Sequence, residues 1–267
     1  MSPSGDGRRP LAHNARVTYS DAELYTRSGA TLVASWGEYA RGASGAALRL
    51  IRGAAVGVFP NEPERSIYNN ALLDCQVDEG DREATLDALV DLYAKAGVDK
   101  YAVWVHESDP STVAYLAARG FGVEESTRVM GMDLKELGPP VAVEMAPPQW
   151  VEYVRILQLP SDYLRQVDPA VFHLAIGRLG GESVAAAMAF DHDTDCGIFN
   201  VTTLQHARRQ GLATALTTML LHQARSRGCS TASLQSTPAA ESVYAAIGFR
   251  DLGEYLEHVP SRRAVPS

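Results

Sequence analysis

The chain closes twice in the same way. Leu116-Ala117-Ala118-Arg119-Gly120-Phe121 is matched by Tyr244-Ala245-Ala246-Ile247-Gly248-Phe249 at an offset of 128, the distance from Gly120 to Gly248. The same offset sets Ser108 on Ser236 and Pro110 on Pro238. Upstream, Gly97 falls on Gly228 and Gly80 on Gly211 at an offset of 131, which asks for only a small difference in loop length. Anchors repeated in one order imply a single supersecondary programme used in tandem, and so two units of like architecture. The length of 267 residues, 46% hydrophobic and 21% charged, suits one large globular domain or two small ones.

Apolar periodicity fills in the first unit, 17–137. A helix is predicted within Asp21–Ala40 around Trp36, and a hairpin over Ala47–Phe59 broken by Gly53 and Gly57. Pro60–Arg65 reads as a polar loop. A helix over Asp81–Ala96 has Leu86, Leu89, Val90 and Tyr93 on one face and Gly97 at its end. Tyr101–Val105 reads as a strand, Ser111–Arg119 as a short helix stopped by Gly120, and Val129–Leu134 as a strand. Gly138-Pro139-Pro140 continues neither regular structure and is the predicted linker. In the second unit, 141–259, Gln149–Leu157 and on to Gln166 is predicted helical. Phe172–Leu179 and Ser183–Phe190 flank a Gly180-Gly181 hairpin turn. A strand over Cys196–Leu204 precedes a helix over Ala213–Arg227 that Gly228 ends. Ala232–Leu234 is a strand and Ala240–Ala246 a short helix. Residues 1–16 read as a disordered lead-in and 260–267 as a loose tail. The fold class expected is α/β (α+β), with two tandem units, each a mixed, mostly antiparallel sheet flanked by helices.

One junction carries chemistry. Arg208-Arg209-Gln210-Gly211-Leu212-Ala213 lies between a strand and a helix. The first N–H groups of a helix have no intrahelical partner and form a positive end suited to phosphate. Gly211 permits close approach, and Arg208 and Arg209 add charge. The aligned residues of unit one are Val77, Asp78 and Glu79 before Gly80, with Asp81 after it, and carboxylates there repel an anion. Only the second unit is expected to hold one. The net charge of −8 gives no general attraction to nucleic acid or an anionic membrane. No apolar run is long enough to span a bilayer, and the polar N-terminus has no signal-peptide core, so the expected location is cytoplasmic. Cys75, Cys196 and Cys229 are expected to be reduced and buried, and no His/Cys/Asp spacing suggests a metal. His192, between Asp191 and Asp193, is expected in a solvated hairpin turn.

The stretch from Asn200 to Phe249 resembles the GCN5-related N-acetyltransferase (GNAT) family. Arg208–Ala213 fits the family's Gln/Arg-x-x-Gly-x-Gly/Ala acyl-CoA signature, Val201-Thr202-Thr203-Leu204 precedes it at the family's distance, and Leu234-Gln235-Ser236-Thr237-Pro238, Val243-Tyr244 and Gly248-Phe249 fit its last strand, short helix and closing Gly-Phe. The likeness is close over about 50 residues. Residues 17–137 then fit as a degenerate second copy, as in tandem members of the family with one competent half.

The resemblance implies acetyl-CoA as cosubstrate. Its pyrophosphate would lie on the N–H groups of Gln210 to Thr214, with Arg208, Arg209, Gly211, Leu212 and Ala213 around it, and its pantetheine arm beside Val201 and Thr203. It further implies that Tyr244 protonates the departing thiolate and that Thr237 or Ser236 stands where the family often has a cofactor-contacting Asn, absent here. The activity implied is acetyl transfer to the primary amine of a small molecule; the alternative is a non-catalytic acyl-CoA-binding regulatory protein. O-acyl transfer and longer acyl donors stay open, as does monomer or homodimer. The general base is not identified. Asp193, Asp195 and Glu182 are near in sequence and read as solvated hairpin charges, and a water relay serves equally. The acceptor cleft is expected between the units, near Gln149–Leu164.

Overall fold

The computed structural model describes residues 18–63, 68–74, 79–158 and 167–261. The expectations for 1–16, for Cys75 and Val77–Asp78, for helix beyond Gln158 to Gln166 and for the last six residues lie outside these ranges.

Unit one begins with helix α1 (Asp21–Arg41), started by a capping box in which the Ser20 hydroxyl accepts from the Glu23 N–H and the Glu23 carboxylate accepts from the Ser20 N–H. There follow the hairpin strands β1 (Ala47–Ile51) and β2 (Ala54–Val58), then β3 (Asn70–Leu73), α2 (Glu79–Ala96), β4 (Ala102–His106), α3 (Pro110–Ala118) and β5 (Phe121–Asp133). Unit two has the short β6 (Met145–Ala146), α4 (Trp150–Leu157), β7 (His173–Leu179), β8 (Glu182–His192), β9 (Asp195–Thr203), α5 (Leu212–Arg227), β10 (Thr231–Ser236), α6 (Glu241–Ile247) and β11 (Arg250–Pro260). The order from β1 to β5 is repeated from β7 to β11. Gly97 and Gly228 end α2 and α5, and Gly120 and Gly248 end α3 and α6. All four have positive φ, as αL helix ends require.

Eleven described strands form one sheet in the order β1-β2-β3-β4-β11-β5-β10-β9-β8-β7-β6. Only β3–β4 and β9–β10 pair in parallel. The last strands are exchanged. β11, the end of unit two, lies beside β4 of unit one, while β5 lies beside β10 of unit two. β5 and β11 pair antiparallel from Gly131/Arg250 to Phe121/Pro260, with register shifts on the way. The two sheets expected from the sequence are thus fused through two borrowed strands. Helix α1 covers the seam, where Leu24, Leu32 and Trp36 pack with Val129, Leu252 and Tyr255. Gly131 allows this approach, since a Cβ there would come within 2.8 Å of Leu252 and 3.1 Å of Leu24.

The core of unit two sits on both faces of β8, whose residues Ala185–Ala189 are all buried. Ala185, Ala187 and Ala189 meet Leu212, Leu216 and Leu220 of α5, and Ala186 and Met188 meet Tyr153 and Ile156 of α4. This packing fixes α5, and so the turn before it, against the sheet.

Four sequence expectations are corrected. β5 starts at Phe121 rather than Val129, because β11 supplies a partner from Phe121 to Gly131. Pro260 closes β11 opposite Phe121 and is no part of a loose tail. Gly80 lies inside the first turn of α2 without a positive φ, so its alignment with Gly211 is not an equivalence of turns. Asp195 is buried at 1% exposure, where Thr31, Thr231 and Ser233 hydroxyls donate to it at 2.8, 2.7 and 2.6 Å.

Candidate active site

The site grows from an irregularity in β9. Ala186 faces Thr202 and Met188 faces Phe199, so Asn200 and Val201 stand opposite Ala187 alone. This is a β-bulge. Asn200 takes φ 53°, a region that Asn tolerates better than most residues, and its side-chain amide donates to the Tyr153 hydroxyl at 3.0 Å, tying the bulge to α4. Beyond the bulge β9 bends from its other neighbour. Pairing with β10 runs from Asp195/Thr231 only to Ile198/Leu234, although β9 continues to Thr203 and β10 to Ser236. Val201 and Thr203 therefore lie on a strand edge that β10 does not occupy.

The chain then passes through a 3-10 turn at Gln205–Ala207 to the basic junction. Arg208 donates from Nε to the Thr203 carbonyl at 3.2 Å, pinning the junction to the end of β9. Arg209 takes φ 61° and Gly211 φ 75°, ψ 6°. Gly211 is the N-cap of α5, no side chain caps it, and a Cβ placed there would meet nothing within 4 Å. Arg208, Arg209, Gln210 and Gly211 are exposed, Ala213 and Thr214 half-buried, and Leu212 is buried in the core. The first N–H groups of α5 thus face open space beside two guanidinium groups.

Where β9 and β10 part, a cavity of about 620 Å³ opens between the units. Unit two lines it with Val201 and Asn200 of β9, Ser236 and Thr237 after β10, and Tyr244 of α6. Unit one lines it with Trp36 and Tyr39 of α1, Trp104 of β4, and Glu124, Glu125 and Thr127 of β5; Glu257 enters from the exchanged β11. The structure brings Val201, Thr237 and Tyr244 into this cavity. Thr203 and the junction Arg208–Thr214 stand outside its walls, at the far end of the same edge.

Tyr244 is 7% exposed and meets Phe249 edge-on, with ring centroids 6.0 Å apart. Burial pushes its hydroxyl up to about 12, so it holds its proton at neutral pH. Glu257 is half-buried. Burial first, then the charges of Glu125 and Glu124, push its carboxyl up to about 7. Glu124 is paired with Lys100 at 3.3 Å.

The three candidate bases near the hairpin do not line the cavity. Asp195 is locked by its hydroxyl donors, and Asp193, with φ 43°, sits exposed in the β8–β9 turn. Glu182 lies 3.6 Å from His206. The cavity lies between the units, and of the stretch Gln149–Leu164 expected beside it only the residues to Gln158 are described. α4 does not line the cavity; Trp150 borders a separate cavity of about 530 Å³ with Phe172 and Met219. Glu124, Glu125 and Glu257 escaped the sequence reading. A weak signal existed for the last of them in the apolar Tyr255, Leu256 and Val259 around it, but no local pattern says that this strand enters the other unit's sheet. Among the described residues no helix is long and apolar enough to cross a membrane.

Residues 141–249 match the model of the Acetyltransferase (GNAT) family. No curated protein matches the chain in sequence. Among solved structures, a GCN5-related N-acetyltransferase from Kribbella flavida is similar at a TM-score of 0.68 and 16% identity, over 89% of this chain and 96% of that one. A GCN5-related N-acetyltransferase from Sphaerobacter thermophilus reaches 0.57 at 19% identity, over 91% and 93%. A tandem GNAT protein from the clavulanic acid biosynthesis pathway reaches 0.55 at 15% identity, over 80% and 79%. At these identities the likeness is one of fold, and it spans both units. Residues 141–249 are thus similar in sequence to the acetyltransferase (GNAT) family, and the whole chain shares the fold of the GNAT structures, a tandem GNAT protein among them.

Proposed function

We propose that the protein is an N-acetyltransferase, moving an acetyl group from acetyl-CoA to the primary amine of a small molecule by direct attack on the thioester. The observation that carries this reading is the continuity of one surface. An uncapped helix start with two guanidiniums leads along an open strand edge into a cavity that contains a protonated tyrosine.

The chain's groups fit the donor. The N–H groups at the start of α5 suit its pyrophosphate, and Gly211 leaves room for it. The backbone of Val201 and Thr203 offers an extended edge for the amides of the pantetheine arm, as in peptide addition to a sheet. When bound, the donor supplies an activated acetyl carbonyl. Backbone N–H groups of the bulged edge can stabilise the charge that gathers on its oxygen. Tyr244, protonated and at the cavity wall, gives its proton to the departing sulfur. Trp36, Tyr39 and the glutamates leave the remaining cavity for the acceptor.

Tyr244→Phe tests the assignment. Thiol release with an amine acceptor should fall roughly 10²-fold or more, while coenzyme A binding by calorimetry stays near that of the parent. Undiminished turnover overturns the role of Tyr244. If the parent binds coenzyme A but releases no thiol across an amine panel, the chain is an acyl-CoA-binding protein instead.

A further inference from the structure

The acceptor side of the cavity holds more negative charge than its own residues offset. Glu124 and Glu125 reach it from β5 and Glu257 from β11, the two exchanged strands. Glu257 stands across the ladder from Glu125 on one side and Trp104 on the other. Lys100 pairs with Glu124, and neither Glu125 nor Glu257 has a cationic partner among the described residues. The other ionisable groups on these walls are the phenols of Tyr39 and Tyr244. Carboxylates crowded in a half-buried cavity repel one another until a cation enters. Among the described residues they do not form a group that could hold a metal ion. Trp36 and Trp104 stand beside them, and aromatic faces favour an organic cation.

We infer that the acceptor enters as a primary ammonium carried on an apolar or aromatic body, with its charge against Glu125 and Glu257 and its body against Trp36 and Trp104, and that Glu257 receives its proton. This rests on the acetyl-transfer reading of the same cavity. Position and environment single out Glu257, since Glu124 and Glu125 are exposed and Glu257 is half-buried. A carboxyl near 7 is partly ionised at neutral pH and well matched to proton transfer. The ammonium gives one proton to Glu257, and the freed nitrogen lone pair forms the C–N bond as the carbonyl π pair moves to oxygen. When that pair returns, the C–S bond breaks. The sulfur leaves with the bonding pair and takes the Tyr244 proton, the nitrogen's next proton restores Tyr244, and the Glu257 proton passes to solvent. One ammonium and one thioester become one amide, one thiol and one released proton.

The test uses the full chain with coenzyme A present. Phenethylamine, tryptamine, putrescine and spermidine are titrated by calorimetry, with 2-phenylethanol as the neutral counterpart of phenethylamine. Amine-dependent thiol release from acetyl-CoA is followed from pH 5.5 to 9. At least one amine should bind, phenethylamine ahead of 2-phenylethanol, and Glu257→Gln should weaken that binding about 10-fold. At pH 7.5 Glu257→Gln should lower kcat/KM roughly 10²- to 10³-fold and remove the limb that rises through about 7. Glu125→Gln should weaken binding and keep the limb. Binding by none of the amines, or equal binding of the alcohol, overturns the inference. Amine-dependent release with an unchanged rate and profile in Glu257→Gln overturns the role of Glu257 and leaves the proposed function standing. Glu257-dependent binding without any release supports the ammonium site and removes the transfer reading.

Discussion

The two strand-to-helix junctions that occupy the same place in each unit differ in the strands and helix starts that frame them. β9 carries a bulge, parts from β10 after Ile198, and enters α5 through Gly211 at φ 75°. β3 pairs with β2 without a register shift and lies against β4 over Asn70–Leu72. Its helix starts at Glu79 with Gly80 already helical, and Asp81 is ion-paired with Arg52 of the β1–β2 turn. The topology is shared and the proposed donor site is not. That site depends on three departures from regular backbone, namely a bulge, a splay and a left-handed glycine, together with basic rather than acidic flanks. The described residues of unit one show none of the three, yet it is no bystander. Its α1, β4 and β5 form one wall of the cavity that opens where β9 and β10 part.

The largest effect should come from separating the units. Without residues 1–137, β10 loses its β5 ladder and β11 loses both its neighbours. Exposed strand edges and the uncovered seam invite aggregation. The remainder should be insoluble or lack a cooperative unfolding transition, checked by solubility and thermal circular dichroism. A soluble, active fragment would break the claim that each unit completes the other.

The next effect concerns the donor. Coenzyme A should bind once per chain by calorimetry, and Gly211→Val should remove that binding. A branched residue at φ 75° is strained by about 1–3 kcal/mol, and its side chain occupies the open approach to the α5 N–H groups. Two sites per chain, or unchanged affinity in the variant, would erase the contrast between the junctions.

A smaller effect is thermodynamic and comes from the cavity. Burial and the neighbouring carboxylates raise Glu257 to about 7 in the fold from its ordinary 4.5. A raised carboxyl favours the fold fully below the unfolded value, and that contribution is lost as pH rises from 4.5 through about 7. Glu257→Gln keeps the shape without the charge. It should match the parent at pH 4.5 and exceed it at pH 8 by roughly 1–2 kcal/mol, the figure being discounted for partial solvent access. Chemical denaturation at both pH values reads this directly. A variant less stable at pH 8 would show that the carboxylate is compensated in the fold.

Much of the backbone on the proposed donor side was legible because its determinants are local. Glycines that end helices, the Gly180-Gly181 turn and the basic junction act through a few consecutive residues, and they recur where the spacing expected them. Tyr244 was singled out through its place in an ordered motif, and it lines the cavity. The opposite wall of the cavity was illegible because it is assembled by long-range pairing. Glu125 and Glu257 become neighbours only when β11 crosses into the first unit's sheet. Asp195 shows the same limit. A carboxylate next to a hairpin reads as solvated, and only α1 and β10, far off in sequence, supply the hydroxyls that bury it.

The finest separation of the junctions uses one substitution at two aligned glycines. Sequence alignment sets Gly80 on Gly211 and expects alanine to act alike at both. The backbone predicts opposite signs. Gly80 is exposed and helical in the first turn of α2, and a Cβ there meets nothing within 4 Å, so Gly80→Ala only restricts the unfolded chain and favours the helix. It should stabilise by about 0.5 kcal/mol, a rise in Tm of ~1–2 °C, with coenzyme A affinity unchanged. At Gly211 a Cβ also meets nothing, but φ is 75°, and alanine should cost roughly 1–2 kcal/mol. Because both sites are sterically open, contacts cannot account for the difference and the backbone angle alone decides the sign. Equal shifts by calorimetric unfolding would mean that Gly80 occupies a left-handed turn after all, and the distinction between the two junctions would then rest on their charges.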